Sequence, residues 1–432
     1  MSISKPVLDQ EFTNLLKNLC KFEDNPDVAV SLSGGSDSMS LLYLTNNWIK
    51  QNGGTITALI FNHGIRDNSE SECLKVKKWS NELGIKTHIL NWNEKKPKSG
   101  LLQIARIKRY EIVLNECKKK NIMHLFVGHQ LNDNAETYEM RIQREGNIIG
   151  LSSIPPLTNL NSVRIIRPFL NVNKKRLEET CKFYSQDWVT DPSNNCDKYE
   201  RVRVRKHLSK KNNEYLLNIK TEIKKNIKKR KKIEILISNF FAKNLYFYNY
   251  GIFEFKKKVF FANEHEVQIE IIKRILTSCS GKTYPPKKKS VESLILIAQE
   301  NEVRIQTLHS SIIKSCLDKF KIYRESFKTL VNTKNGLFIK KNSTGIWDYR
   351  FKVFCKSNDI FCYNINSSNW SKIKKKILKV KKNFVDFEII KTLPLIKVNG
   401  TFLVPFINSK LMDYYQINFF YNPKIQLTNN KF

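Results

Sequence analysis

What the sequence lacks narrows it first. No apolar stretch in its 432 residues approaches the length needed to cross a bilayer, which excludes a helical membrane protein. No internal repeat recurs along the chain. Its nine cysteines (Cys20, Cys73, Cys117, Cys181, Cys196, Cys279, Cys316, Cys355, Cys362) are scattered, odd in number and without a Cys-x-x-Cys pair. That pattern fits reduced thiols in a cytosol and excludes a disulfide framework or a cysteine-based zinc site. The first 24 residues carry Asp9, Glu11, Glu23 and Asp24 and no long apolar core, so neither a signal peptide nor a typical transit peptide is expected there. The expected location is cytoplasmic. Acid is scarce as well: 40 Asp and Glu stand against 75 Lys and Arg, for a formal charge of +35. So basic a chain implies a polyanionic partner. Lys, Asn and Ile abound throughout, as in proteins from AT-rich genomes, so codon usage accounts for part of the excess.

What is present is a globular composition, 41% hydrophobic and 11% aromatic, in a chain long enough for about three domains. The stretch that organises it is Val28-Ala29-Val30-Ser31-Leu32-Ser33-Gly34-Gly35-Ser36-Asp37-Ser38. The β-branched run reads as a buried parallel strand. It stops at two glycines and two serines and resumes with apolar residues at helical spacing. Strand, glycine-rich turn and helix N-terminus form a cradle whose backbone N–H groups and helix dipole face an anion. The stretch has neither the Gly-Lys-Ser/Thr end of a Walker loop nor Gly-x-Gly-x-x-Gly spacing. The plainer alternative is an ordinary strand–turn–helix corner.

Around it, strands and helices alternate. A helix is expected over residues 7–22, strands over 55–61, 85–92, 123–127 and 163–166, and helices over 69–83, 101–120, 133–144 and 173–184. Ser69 or Ser71 is the expected cap of the second of these helices and Gly84 its stop. Asn171 or Asn173 caps the last. Such alternation means a parallel sheet covered on both faces, with ligands at the carboxyl ends of its strands. The segments after three strands, Ser33–Ser38, Asn62–Arg66 and Gly128–Thr137, should therefore meet at one crevice. Asp133 and Glu136, three apart, lie on one helical face and can hold Mg²⁺ or an ammonium. They can equally be an N-cap and its capping-box partner. His63 and His129 stand at strand ends, where a loop histidine needs no further role. Residues 146–156, rich in Gly and Pro, are expected as a mobile loop over the crevice. A turn-rich segment, 188–195, leads into Arg201, Arg203, Arg205, Lys206 and His207, in composition a solvated basic helix end. Residues 213–238 form a long basic helix, either a nucleic-acid rail or an exposed linker. Residues 240–330 mix aromatic strands with helices, and 335–430 alternate as a small α/β or β-rich unit.

With these residues laid out, the chain resembles the tRNA(Ile)-lysidine synthase family of PP-loop ATP pyrophosphatases. Ser33–Ser38 is similar to its SGGxDS loop, His63-Gly64-Ile65-Arg66 to HGLR, and Ala105-Arg106-Ile107-Lys108-Arg109-Tyr110 to ARxxRY. His129–Thr137 is similar to HHxxDQAET, Gly150–Pro155 to GLxxMP, and Asp191-Pro192-Ser193-Asn194 with Arg201 and Arg203 to DPSN…RNxxR. Trp347-Asp348-Tyr349-Arg350-Phe351 is similar to WDxRF. Departures are Gln130 for a second His, Asn132 for Asp, Asn134 for Gln, Val202 for Asn, and Thr307-Leu308-His309-Ser310 in place of a TLGG-type turn.

The resemblance implies a Rossmann-like catalytic domain over 1–212, a basic linker helix and mostly helical tRNA-binding domain over 213–335, and a mixed α/β domain over 336–432. It implies ATP and Mg²⁺ as cofactors and free L-lysine and a CAU-anticodon isoleucine tRNA as partners, with a homodimer as one possible assembly. Ser33, Gly34, Gly35, Ser36, Asp37, Ser38 and His63 would bind the nucleotide, with Asp37 on Mg²⁺. Arg109, Asp133 and Glu136 would hold lysine; Asp37, His129, Asp133 and Arg201 would carry catalysis. Other readings are a tRNA cytidine thiolase, disfavoured by the missing Cys-x-x-Cys pairs, a small-molecule ligase, disfavoured by the basic C-terminal half, and a non-catalytic RNA-binding protein.

Overall fold

The structure, a computed structural model, describes residues 4–65, 68–97, 99–144, 146, 148–160, 162–190, 200–211, 213–300, 302–326, 336–366, 370–371 and 387–427. The first half runs α1 (Asp9–Lys17), β1 (Asp27–Leu32), α2 (Ser36–Asn52), β2 (Thr55–Asn62), α3 (Ser69–Glu82), β3 (Lys86–Asn91), α4 (Leu101–Lys119) and β4 (His124–Val127). It continues with α5 (Leu131–Ile142), α6 (Ile148–Leu151), β5 (Leu157–Leu160), β6 (Val163–Ile166), α7 (Lys174–Phe183) and α8 (Glu200–Ser209). Six strands form one sheet in the order β3-β2-β1-β4-β6-β5. All neighbours are parallel except β5, which pairs antiparallel with β6. The expected parallel sheet is therefore present with one added edge hairpin, whose turn includes Ser162 at φ +69°.

Both faces of the sheet are covered, and the side chains of β1 show why its sequence reads as unbroken apolar. Val28, Val30 and Leu32 enter one core with Met39, Leu41 and Leu42 of α2 and Phe12 of α1. Ala29 points the other way, into a core with Leu59, Leu125 and Val113 and Cys117 of α4. A strand buried on both sides has no polar face to alternate with. Strand order reverses beside β1, between β2 and β4, and a crevice opens at the carboxyl ends there.

Several boundaries differ from expectation. Helix α1 is shorter than 7–22, because Leu19 and Cys20 close it with bonds back to Leu16. The N-cap of α3 is Asn68, not Ser69 or Ser71, and its side chain makes no capping bond. Gly84 ends that helix as expected, at φ +73°, and Asn173 caps α7 by accepting from Lys175 N at 3.0 Å.

The chain divides into two compact units, residues 1–230 and 231–429, within α9 (Asn213–Asn244). This helix is no plain exposed linker. In the first unit Ile219 and Ile223 pack on Ala135, Tyr138, Val204 and Leu208. In the second unit Phe240 meets Phe255 edge-on at 5.5 Å.

The second unit continues with β7 (Tyr246–Tyr248), β8 (Ile252–Lys256), α10 (Lys257–Phe261), α11 (His265–Ser280), α12 (Lys288–Ala298), β9 (Arg304–Leu308), β10 (Ser311–Ser315) and β11 (Lys319–Arg324). Its five strands form an antiparallel sheet, β7-β8-β11-β10-β9, so the region expected to be mostly helical is mixed. Then come β12 (Leu337–Ile339), β13 (Ser343–Trp347), β14 (Phe351–Cys355), β15 (Ile360–Asn364), β16 (Pro394–Val398), β17 (Thr401–Leu403) and β18 (Ile417–Tyr421). They make two small sheets around a core that includes Trp347, Phe351 and Val353. No helix among the described residues is long and apolar enough to cross a membrane.

One residue between β1 and α2 tests this packing. Gly34 holds φ +84°, and a Cβ there would lie 2.4 Å from Val76 Cγ2 of α3. Gly34→Ala is therefore expected to destabilise the first unit by roughly 2 kcal/mol, measured as a lower urea midpoint. Adding Val76→Ala should recover only the part due to the clash.

Candidate active site

The loop after β1 leaves its backbone donors facing the crevice. Gly35 is the N-cap of α2, and no side chain caps that end. Its serines turn inward instead: Ser38 Oγ donates to Gly35 O at 3.0 Å and accepts from Ser33 N at 3.2 Å. Val189 N donates to Gly34 O at 2.8 Å and fixes the turn from behind. Beyond β4, Gly128 lies so close that a Cβ on it would sit 3.0 Å from Asp37 O. An uncapped first turn with its serines occupied elsewhere is a shaped anion site.

The three segments expected to meet do so. Ser33, Gly35, Ser36, Asp37, Ser38, His63, Arg109, His129, Asp133, Glu136 and Arg201 all line one cavity of about 1110 Å³. Ligand pockets commonly span ~300–1,000 Å³, so the space suits more than one small ligand. Among the described residues, none of 146–156 lines it. The segment expected as a mobile lid is tied down: Arg141 donates to Ser153 O at 2.9 Å, and Asn134 Oδ1 accepts from Ile154 N at 3.0 Å. Asp191, Pro192, Ser193 and Asn194, and Arg66, lie outside the described residues.

The capping alternative for the carboxylates holds only in part, with other partners than expected. The N-cap of α5 is Gln130, whose side chain accepts from Asn132 N at 2.6 Å, and its box partner is Asp133, accepting from Gln130 N at 3.0 Å. Glu136 takes no part in that box. Its carboxylate is 1% exposed and takes Arg201 Nε and Arg205 Nε at 2.6 Å each. Arg201 Nη2 also reaches Asp133 Oδ1 at 2.6 Å. A buried carboxylate needs such charged donors to offset desolvation. The arginine that faces the crevice with Arg201 is thus Arg205; Arg203, midway between them, falls on the exposed side of α8. The i,i+4 spacing of Arg201 and Arg205 carries this signal. Lys174, at the start of α7, also lines the cavity, and nothing in its sequence context marks it.

His129 is 9% exposed. Burial, then the charges of Arg167, Arg106, Arg109 and Arg201, hold its pKa well below the ordinary histidine value. It is therefore neutral at physiological pH and can accept a hydrogen bond, but it is no proton reservoir. Its Nδ1 is buried with no hydrogen-bond partner among the described residues. His63 Nδ1 accepts from Ile65 N at 3.0 Å.

Asp37 shows the opposite stress. Burial, then the charge of Asp133, pushes its carboxyl up to about 7, with Lys174 and the Ser36 hydroxyl opposing. An acid whose folded pKa exceeds its unfolded value of ~3.9 weakens the fold as it ionises, from about pH 4 up through 7. Asp37→Asn should therefore raise stability at pH 8 by on the order of 2 kcal/mol and change it little at pH 4. Urea unfolding at the two pH values measures the difference.

Comparison with known proteins places the chain in a family. Residues 5–212 match the PP-loop domain family. A tRNA(Ile)-lysidine synthase of Rickettsia bellii (strain OSU 85-389) is 31% identical over 408 residues, 91% of this chain and 92% of its own. That of Rickettsia prowazekii (strain Madrid E) is 31% identical over 409 residues, again covering 91% and 92%. One from Orientia tsutsugamushi (strain Boryong) is 29% identical over 360 residues, 80% of this chain and 79% of its own. Similarity at this level runs through both compact units, and the chain belongs to the tRNA(Ile)-lysidine synthase family.

Proposed function

We propose that this chain uses ATP to adenylate the C2 oxygen of the wobble cytidine in a CAU-anticodon isoleucine tRNA, then ligates free lysine at C2 to give lysidine. The observation that carries this reading is the pairing, in one cavity, of an uncapped α2 N-terminus with a set that suits an amino acid, Asp133, Glu136 and Arg109. In the first step the cytidine oxygen bonds to the α-phosphorus and diphosphate leaves. In the second the lysine ε-amine bonds to C2, the C2–O bond breaks, AMP leaves and the amine loses a proton.

The amides between Ser33 and Ser38 that the loop does not itself use, and the α2 dipole, would hold the departing diphosphate, with His63 at the rim. Arg201 would balance charge on the α-phosphate. Asp133 and Glu136 would bind the ammonium and Arg109 the carboxylate in bidentate fashion. Arg201 and Arg205 take oxygens of Asp133 and Glu136 that an ammonium would use, so amine binding and the placement of α8 are coupled. His129, neutral, would accept a hydrogen bond near the reacting centre. Positioning supplies most of the rate, because the nucleophile comes with the substrate.

Asp37 suits a divalent cation: a buried carboxyl raised by a neighbouring carboxylate gains from a positive charge. No three His, Cys, Asp or Glu side chains converge among the described residues, so phosphate oxygens and water would complete the shell, as Mg²⁺ prefers. The ion would neutralise charge on the phosphates.

The test incubates the protein with ATP, Mg²⁺, labelled lysine and total tRNA, omitting each in turn. Label that enters tRNA and survives alkali, unlike an aminoacyl ester, is the expected result; label absent, or lost in alkali, overturns the reading. Asp37→Ala is expected to abolish incorporation while tRNA affinity stays within a few-fold. Glu136→Gln should raise KM for lysine at least roughly tenfold, read from initial rates at saturating ATP.

A further inference from the structure

The second unit contains a cavity of its own, of about 440 Å³, lined by Gly281, Lys282, Tyr284, His309, Tyr349 and Lys424 among others. Two sequence features that the catalytic reading leaves unused meet there. Tyr349 belongs to the Trp347–Phe351 block, and His309 stands in the turn that departs from its TLGG-type counterpart. We propose that this cavity seats one unpaired nucleotide of an RNA, with its base against the rings of Tyr349 and Tyr284 and its phosphate on Lys282 and Lys424. The inference rests on the reading that the chain acts on tRNA, and adds a contact distant in sequence from the PP-loop domain.

Three observations carry it. The first is strain. His309, Ser310, Asp348 and Tyr349 hold φ of +55°, +57°, +50° and +53°. Non-glycine residues in the left-handed region persist only where their surroundings enforce it, and they gather at binding sites. The enforcement is visible. Asp348 is buried, takes Arg324 through Nε and Nη2 at 3.1 Å each, and takes Arg350 Nε at 2.7 Å. Arg324 Nη1 donates in turn to Ser310 O at 3.0 Å. One carboxylate and one guanidinium thus fix both turns.

The second observation is what the clamp presents. Tyr349 follows a fully buried aspartate yet remains 42% exposed, and Tyr284 is 53% exposed. Gly281 approaches this turn closely: a Cβ there would lie 2.7 Å from Asp348 O and 3.1 Å from Tyr349 Cβ, which leaves no room for a side chain at that position. Exposed aromatic faces beside cations form the platform on which single-stranded bases stack.

The third is charge and polarity. Lys282 and Lys424 line the cavity and no carboxylate does, among the described residues. Lys287 follows Pro285-Pro286 as the N-cap of α12, whereas Lys288, next to it, is paired with Glu266 and Glu292 at 3.4 and 3.7 Å. Burial, and then Lys282, bring His309 down to about 4, so its imidazole is neutral at physiological pH. Its Nε2 has no hydrogen-bond partner among the described residues. A polyanion with a flat apolar ring suits this combination better than an acidic peptide, which would leave the tyrosine faces unused.

The test uses the full chain and two probes, the single-stranded pentanucleotide r(A)5 and a blunt RNA duplex, by fluorescence anisotropy. Tyr349→Ala and Tyr284→Ala should each weaken r(A)5 binding about tenfold and leave the duplex nearly unchanged, while Tyr349→Phe keeps wild-type affinity. Lys282→Ala with Lys424→Ala should lower the slope of log affinity against log salt by about 0.7. In the lysine-incorporation assay Tyr349→Ala should raise KM for tRNA and leave kcat unchanged. Equal r(A)5 affinity for wild type and both tyrosine variants, all folded by circular dichroism, overturns the proposal. Wild type that binds r(A)5 as expected but adds no lysine to tRNA overturns the catalytic reading alone.

Discussion

A buried carboxylate must have a cation, and the first unit is arranged around that demand at Glu136. Its two oxygens receive Arg201 and Arg205, which lie on α8, more than sixty residues along the chain. Those bonds bring α8 against α5, and α9 then packs its isoleucines over both. Asp133, tied by Arg201 and by the α5 capping box, sits near enough to Asp37 to make it a weaker acid. The charged groups at the phosphate loop and at the candidate amine site therefore form one electrostatic system. A change in charge at either end is felt at the other.

This arrangement explains how a candidate anion site and a candidate cation site share a cavity without collapsing onto each other. The α2 N-terminus offers partial positive charge through fixed backbone groups, which cannot swing across to a carboxylate. The carboxylates are engaged by guanidiniums whose planar forks fix their direction. Lys174, the one flexible cation at the start of α7 that lines the cavity, is near Glu178 at 4.0 Å. Preorganised charge of this kind is what a reaction governed by positioning requires.

Much of the architecture was legible in the sequence, and the failures have physical causes. Strand and helix order in the first unit followed from apolar runs and glycine stops, and the convergence of Ser33–Ser38, His63 and Gly128–Thr137 from the rule about carboxyl ends. Helix starts were harder. Gln130 caps α5 although glutamine is a weak capping residue, so spacing pointed instead to Asp133. The 146–156 segment read as mobile from its Gly and Pro content, but Arg141 and Asn134 reach it from α5, contacts that no local pattern encodes. Arg205 was hidden in a run of basic residues where helical spacing alone separates it from Arg203. The five-stranded sheet of the second unit was obscured because β9 and β10 carry Arg304, Gln306, Thr307 and Lys314 among their apolar residues.

Gly128 has a consequence for anyone who would redesign this enzyme. A single methyl group there would press on the main chain of Asp37, so the segment after β4 and the loop after β1 are in van der Waals register. Libraries that vary the β4 segment alone will therefore also disturb the loop after β1. The carboxylates of the cavity are reached independently of that seam from α8, where Arg201 and Arg205 bond Asp133 and Glu136.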